Sequence, residues 1–100
     1  MLSKIITTGT TTIKGASAAD AAPIQGRYYG YTMSNTAVAL SLHDCVGTAA
    51  VAIATNGIDY MLGVTGAPVI KVFPKDAWIP FWNGLHALLG TAGTATIYYE

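Results

Sequence analysis

The sequence predicts an all-β fold, an antiparallel β-sandwich of jelly-roll type built as a single domain. Three observations carry that expectation. Most apolar runs alternate with a period of two, as a strand with one buried face requires. The runs are short, and about eight of them recur at regular spacing with Gly, Asn, Asp and Pro between them, which is the pattern of sandwiches. The length of 100 residues is that of one domain, able to bury roughly two thirds of its unfolded surface.

Residues 4–16 hold seven threonines and glycines. Thr favours strands, and Gly9 divides the run into two short pieces, 4–8 and 10–15. Their low hydrophobicity suggests an edge strand or a free arm over residues 1–16, leaving 17–100 as the sandwich proper. Residues 16–23 are small and end in Pro23, a loop. Two strands follow, 24–34 and 37–44, hinged at Ser34-Asn35-Thr36. Asn tolerates the positive φ of a tight turn, so these two are expected to form a hairpin. In the first limb Tyr29, Tyr31 and Met33 should face one way, with Tyr28, Gly30, Thr32 and Ser34 opposite. In the second, Val38, Leu40 and Leu42 alternate with Ala39, Ser41 and His43.

Segment 48–55 is rich in Ala, which favours helix, yet Val51 and Ile53 alternate with Ala50, Ala52 and Ala54. The turn signal Thr55-Asn56-Gly57 and the short run favour a strand. A second hairpin is expected from 58–64 and 67–73 across Thr65-Gly66, with Val69, Lys71 and Phe73 opposed to Ile70 and Val72. Pro74-Lys75-Asp76 turns the chain. Residues 77–81 form a short apolar strand whose Pro80 suits an edge position. After the Asn83-Gly84 turn, Leu85, Ala87 and Leu89 alternate with His86 and Leu88, and residues 94–99 make the last strand.

Charge is scarce. Hydrophobic residues make up 52% of the chain and charged residues 10%, against about 25% charged in an ordinary domain. A chain of this mass should expose roughly 5,400 Å² when folded, which ten charges cover thinly. Net charge is zero, so repulsion does not hold copies apart. A homo-oligomer, or a subunit covered by neighbours, is the expectation. The scattered Lys4, Lys14, Arg27, Lys71 and Lys75 form no basic stripe for phosphates, so nucleic acid is not an expected partner. Cys45 is alone, which removes a disulfide framework. The N-terminus lacks the continuous apolar core of a signal peptide, and the longest weakly polar run, 45–55, is too short to span a bilayer. A soluble chain is expected.

His43-Asp44-Cys45 is the closest approach of a base, an acid and a nucleophile. On a strand His43 and Cys45 share a face about 6–7 Å apart at Cα, and no neighbouring motif supplies the third group a dyad needs to orient the imidazole. A strand end with a turn Asp and a buried Cys explains the triplet without catalysis. The separation of His43 and His86 fits no zinc pattern. Asp20, Asp44, Asp59, Asp76 and Glu100 stand isolated near turns or termini and read as solvated acids, and no Gly-rich phosphate loop occurs. No enzyme, metal or cofactor is expected. Trp78 and Trp82 would share a face if their strand continues. Aromatic residues anchor cores and interfaces or stack on sugars. The residues expected to make contacts are therefore Ile5, Thr7, Thr11 and Ile13 in the threonine-rich segment, with Trp78 and Trp82.

The order of several motifs resembles small virion proteins of tailed bacteriophages. It comprises Gly-Arg-Tyr-Tyr-Gly-Tyr-Thr-Met-Ser-Asn-Thr-Ala (26–37), a strand ending His43-Asp44 and a Val-Gly-Thr connector (46–48). Later come Pro80-Phe81-Trp82-Asn83-Gly84-Leu85, Gly90-Thr91-Ala92-Gly93 and a terminal Ile-Tyr-Tyr. The resemblance, over about residues 24–99, is to head-decoration (cement or knob) proteins. The alanine-rich 48–55 segment and the aromatic 78–82 patch depart from that pattern. The resemblance implies a capsid decoration subunit on the virion surface, made in the host cytoplasm, often trimeric and bound to the major capsid protein. It implies no catalytic residue. A receptor- or glycan-binding knob is the alternative.

Overall fold

The computed structural model describes residues 1–16, 22–33, 39–48, 51, 56–61, 69–90 and 93–100. Two antiparallel sheets pack face to face as a β-sandwich. The strands in chain order are β1 (Leu2–Ile6), β2 (Gly9–Lys14), β3 (Gly26–Met33), β4 (Leu40–Asp44), β5 (Gly57–Met61), β6 (Val69–Val72), β7 (Ile79–Phe81), β8 (Leu85–Leu89) and β9 (Ala95–Tyr99). One sheet, here the first, runs β1-β9-β3-β6, with β7 sharing the outer edge of β3 beside β6. The second runs β2-β8-β4-β5.

Both expected hairpins are corrected by this topology. β3 and β4 lie in opposite sheets, and so do β5 and β6. Each pair therefore spans the two sheets instead of lying side by side in one. Alternation specifies which side chains face inward, but a hairpin and a crossover satisfy it equally well. The hinge at 34–36 and the Thr65-Gly66 turn lie outside the described residues. Segment 48–55 is corrected at its start, where Val51 N–H donates to the Thr48 carbonyl at 3.2 Å in a turn rather than a strand. Its residues 49–50 and 52–55 lie outside the described residues.

The core is filled from both inner faces. Tyr28, Tyr31, Met33, Phe81, Ala95, Ile97 and Ile6 come from the first sheet, and Leu40, Leu42, Leu85, Ala87, Leu89 and Ile13 from the second. Alternation is as expected in β4 and β8. In β3 it slips, because a register shift between Tyr28 and Gly30 against β9 inserts one extra residue. A bulge of this kind turns the chain by one position. Tyr28 therefore joins Tyr31 and Met33 inside, while Tyr29 sends its hydroxyl to Glu100 Oε2 at 3.3 Å. Gly30 makes the bulge feasible with φ of 119°, and a Cβ there would fall on the Lys71 carbonyl oxygen.

Lysines close the sandwich at two edges. Lys4 Nζ donates across to the Thr12 carbonyl at 2.9 Å, joining β1 to β2. On the other side Lys71 Nζ of β6 meets Asp59 Oδ1 of β5 at 2.7 Å. The folded surface is 5262 Å², close to what this mass predicts for a lone domain, so compactness does not offset the shortage of charge. Among the described residues, no helix is long and apolar enough to cross a membrane.

Candidate functional site

The outer face of the first sheet follows from pairing and alternation. Since Ile6, Tyr31, Met33, Ala95 and Ile97 point inward, their neighbours point out. Register then places Ile5, Thr96, Thr32 and Ile70 in one row across four strands. Ser3, Tyr98, Gly30 and Val72 form the next row. These eight positions hold no charged residue. Ile5 is 73% exposed and Ile70 is 75% exposed, unusual for large aliphatic side chains. Lys4 and Lys71 sit on the opposite alternation and are drawn to the sandwich edges. These two rows are left uncharged, with Ile5 and Ile70 at the ends of one and Thr96 and Thr32 between them, and the ion-paired Glu100 and Arg27 follow in the row beyond.

A second feature lies where β7 meets the start of β3. Gln25, Gly26, Arg27, Trp78, Pro80, Phe81 and Trp82 line an open groove of about 280 Å³. The Arg27 guanidinium sits 4.7 Å over the Trp78 ring and 3.7 Å from Glu100. Trp82 is 59% exposed, yet its backbone is fixed. The Asp44 carboxylate accepts the Trp82 N–H at 3.0 and 3.1 Å and the Asn83 N–H at 2.8 Å. Asn83 in turn accepts the Ile24 N–H at 3.2 Å, and Gly84 accepts the Cys45 N–H at 3.3 Å. Asp44 is thus a loop clamp rather than a solvated turn acid. The sequence carried no signal for it, because the two ends of this contact are 38 residues apart.

The histidines meet on the outer side of the second sheet, where His43 pairs with His86 across β4 and β8. His43 is held at both ring nitrogens, Nδ1 by Asn56 Oδ1 and Nε2 by Ser41 Oγ, each at 2.8 Å. His86 is fully buried, with Nδ1 3.2 Å from Thr12 Oγ1. Among the described residues its Nε2 has no hydrogen-bond partner; the Cys45 carbonyl favours the charged ring but lies outside hydrogen-bond geometry. Burial lowers the His86 pKa, and the nearby His43 lowers it further. Cys45 is buried, and its thiol donates to the Gly47 carbonyl at 3.5 Å. Desolvation, then the Asp44 charge, push that thiol up, which works against a thiolate. This cluster is a packed polar layer. Among the described residues, no three His, Cys, Asp or Glu side chains gather to hold a metal.

The six expected contact residues do not form one surface. Ile5 lies on the uncharged face, and Thr7 is exposed where the chain passes from β1 to β2. Ile13 is 6% exposed and belongs to the core. Two residues beyond the inward-facing Thr11, it falls on the inner face by plain alternation, so it is unavailable to a partner. Thr11, opposite Ala87, is half-buried on the inner side of the edge. Trp78 and Trp82 line one groove at the β7 edge, two strands away from β1. Asp59 also departs from its expected role as a solvated acid, since its side chain is 6% exposed and accepts the Tyr28 hydroxyl at 2.8 Å.

No family model, curated protein or solved structure matches this chain.

Proposed function

We propose that this chain is a non-enzymatic structural subunit of a phage virion, a decoration or cement protein that stabilises the head shell by burying uncharged β-surface against its neighbours. The observation that carries the reading is the outer face of the first sheet, where Ile5, Ile70 and Val72 stand exposed among Thr and Tyr with no charge between them. Exposed apolar area costs about 25 cal/mol per Å², and contiguous patches of it mark contact surfaces in soluble proteins. The major capsid protein and further copies of this chain are the neighbours proposed, with a trimer the favoured assembly. Such a contact needs no reacting group; shape and desolvation suffice.

The test is recovery with particles. Mixed with purified heads, the protein should co-sediment at a fixed copy number. The double variant Ile5→Lys/Ile70→Lys should stay in the supernatant while keeping the parent's circular dichroism spectrum and melting temperature. Undiminished co-sedimentation of that variant, or absence of the parent from heads, would overturn the assignment.

A further inference from the structure

We propose that the groove between β7 and the start of β3 binds a neutral pyranose ring of a glycan, with Trp82 as the stacking platform and Gln25 and Arg27 as donors to its hydroxyls. This site shares no residue with the two uncharged rows of the sheet, and its test is independent of shell binding.

Three features converge on a saccharide. An exposed indole is ordinarily mobile or buried by a neighbour, but here Asp44 fixes the backbone beneath it through the Trp82 and Asn83 N–H groups. A backbone held before binding removes part of the ordering cost when a ligand stacks on the side chain it carries. An indole presents a broad apolar face with a polar N–H at its rim, which suits a ring that is apolar on one face and hydroxylated around its edge. Beside it, the groove adds exposed Gln25 and the Arg27 guanidinium. A few placed polar groups on a mostly apolar wall are the usual construction of a small-ligand site.

Charge selects among ligands. Arg27 already lies over Trp78 and is 3.7 Å from Glu100, a carboxylate it shares with the N-terminal ammonium at 3.6 Å. With Asp44 accepting the Trp82 N–H, two cations face two carboxylates around the groove, so it offers hydrogen-bond donors with little net charge, which favours a neutral sugar over a phosphate or an acidic sugar. A peptide strand is disfavoured, because β7 has only three residues and Pro80 provides no N–H for pairing.

The experiment follows the indole N–H resonances of Trp78 and Trp82 by NMR in the full chain. Chitotriose, cellotetraose and lactose are titrated separately, with a proline-rich peptide as the competing ligand class. At least one of the sugars should shift the Trp82 resonance saturably in the millimolar range. Trp82→Ala should weaken binding by roughly tenfold or more, and Gln25→Ala by less. Asp44→Ala should also weaken it, although Asp44 touches no ligand, and Asp44→Asn should recover part of the loss because its amide oxygen still accepts. The proposal fails if none of the three sugars moves Trp82, if Trp82→Ala binds as well as the parent, or if only the peptide saturates the groove.

Discussion

Tyr28 and Asp59 tie the two sheets together through the core. The Tyr28 hydroxyl, on a fully buried ring, donates to Asp59 Oδ2 at 2.8 Å. The same carboxylate receives Lys71 from the first sheet at 2.7 Å. The Tyr28 and Phe73 rings also meet edge to face, with centroids 5.7 Å apart and planes at 90°, a favourable aromatic geometry. Burial, and then the Asp59 hydrogen bond, hold the phenol neutral far above its usual range.

Tyr28→Phe should therefore cost about 1–2 kcal/mol, because Asp59 keeps Lys71 and loses one donor. Asp59→Ala should cost more, on the order of 3 kcal/mol, since it strands a buried hydroxyl and unpairs Lys71. Urea denaturation of both variants checks the ranking, and a larger loss for Tyr28→Phe would contradict it.

His86 gives a pH dependence. Its pKa in the folded chain is lowered, first by desolvation and then by His43, with the Cys45 carbonyl opposing both. The unfolded chain therefore binds a proton more readily than the folded one. The His86 contribution to stability is complete above the unfolded value of about 6.5, declines as pH falls through it, and levels off below the folded pKa. The urea midpoint should drop as pH is lowered from about 7 through about 6.5 and below. His86→Gln, which can still pair with Thr12, should lose less stability over that interval. Identical slopes for parent and variant would remove His86 as the cause.

Gly30→Ala tests the bulge. The position combines φ of 119° with a neighbouring carbonyl where Cβ would sit. Strain of this kind costs on the order of 1–3 kcal/mol, and the clash adds to it. Hydrogen exchange should rise at the β3–β6 pairing, from Gly30 to Met33, more than at the β4–β8 pairing. Uniform exchange across both sheets would show that Gly30 is not a local keystone.

Much of the fold was legible because period-two alternation reports directly on burial. Leu40, Leu42, Leu85, Ala87 and Leu89 all point inward as the pattern requires, and Pro80 lies on an edge strand. Topology was less legible, since alternation is indifferent to which strand lies alongside. Tyr28 was misfaced because a bulge adds one residue without altering composition. The uncharged face required pairing register as well as pattern: Ile5 and Ile70 are 65 positions apart in the sequence yet share a row. The Asp44 clamp and the Asp59 tie were hidden for the same reason, as both join distant segments.

The threonine-rich start of the chain supplies the last prediction. Read from sequence, it suggested an edge strand or a free arm. In the structure β1 and β2 are edge strands of opposite sheets, and each contributes one core isoleucine, Ile6 and Ile13. Deleting residues 2–15 would bare the edges of β9 and β8, remove both core side chains and invite edge-to-edge pairing. Melting temperature and assembly should then fall together, so deletion cannot separate the two roles. Single substitutions can. Ile13→Ala should cost about 2–5 kcal/mol by opening a cavity. Ile5→Lys should stay within about 0.5 kcal/mol of the parent, as surface changes do, while reducing self-association in sedimentation velocity. The fold would be wrong at this edge if Ile5→Lys destabilised the chain as much as Ile13→Ala. The proposed interface would fail if Ile5→Lys left a normal melting curve and unchanged self-association.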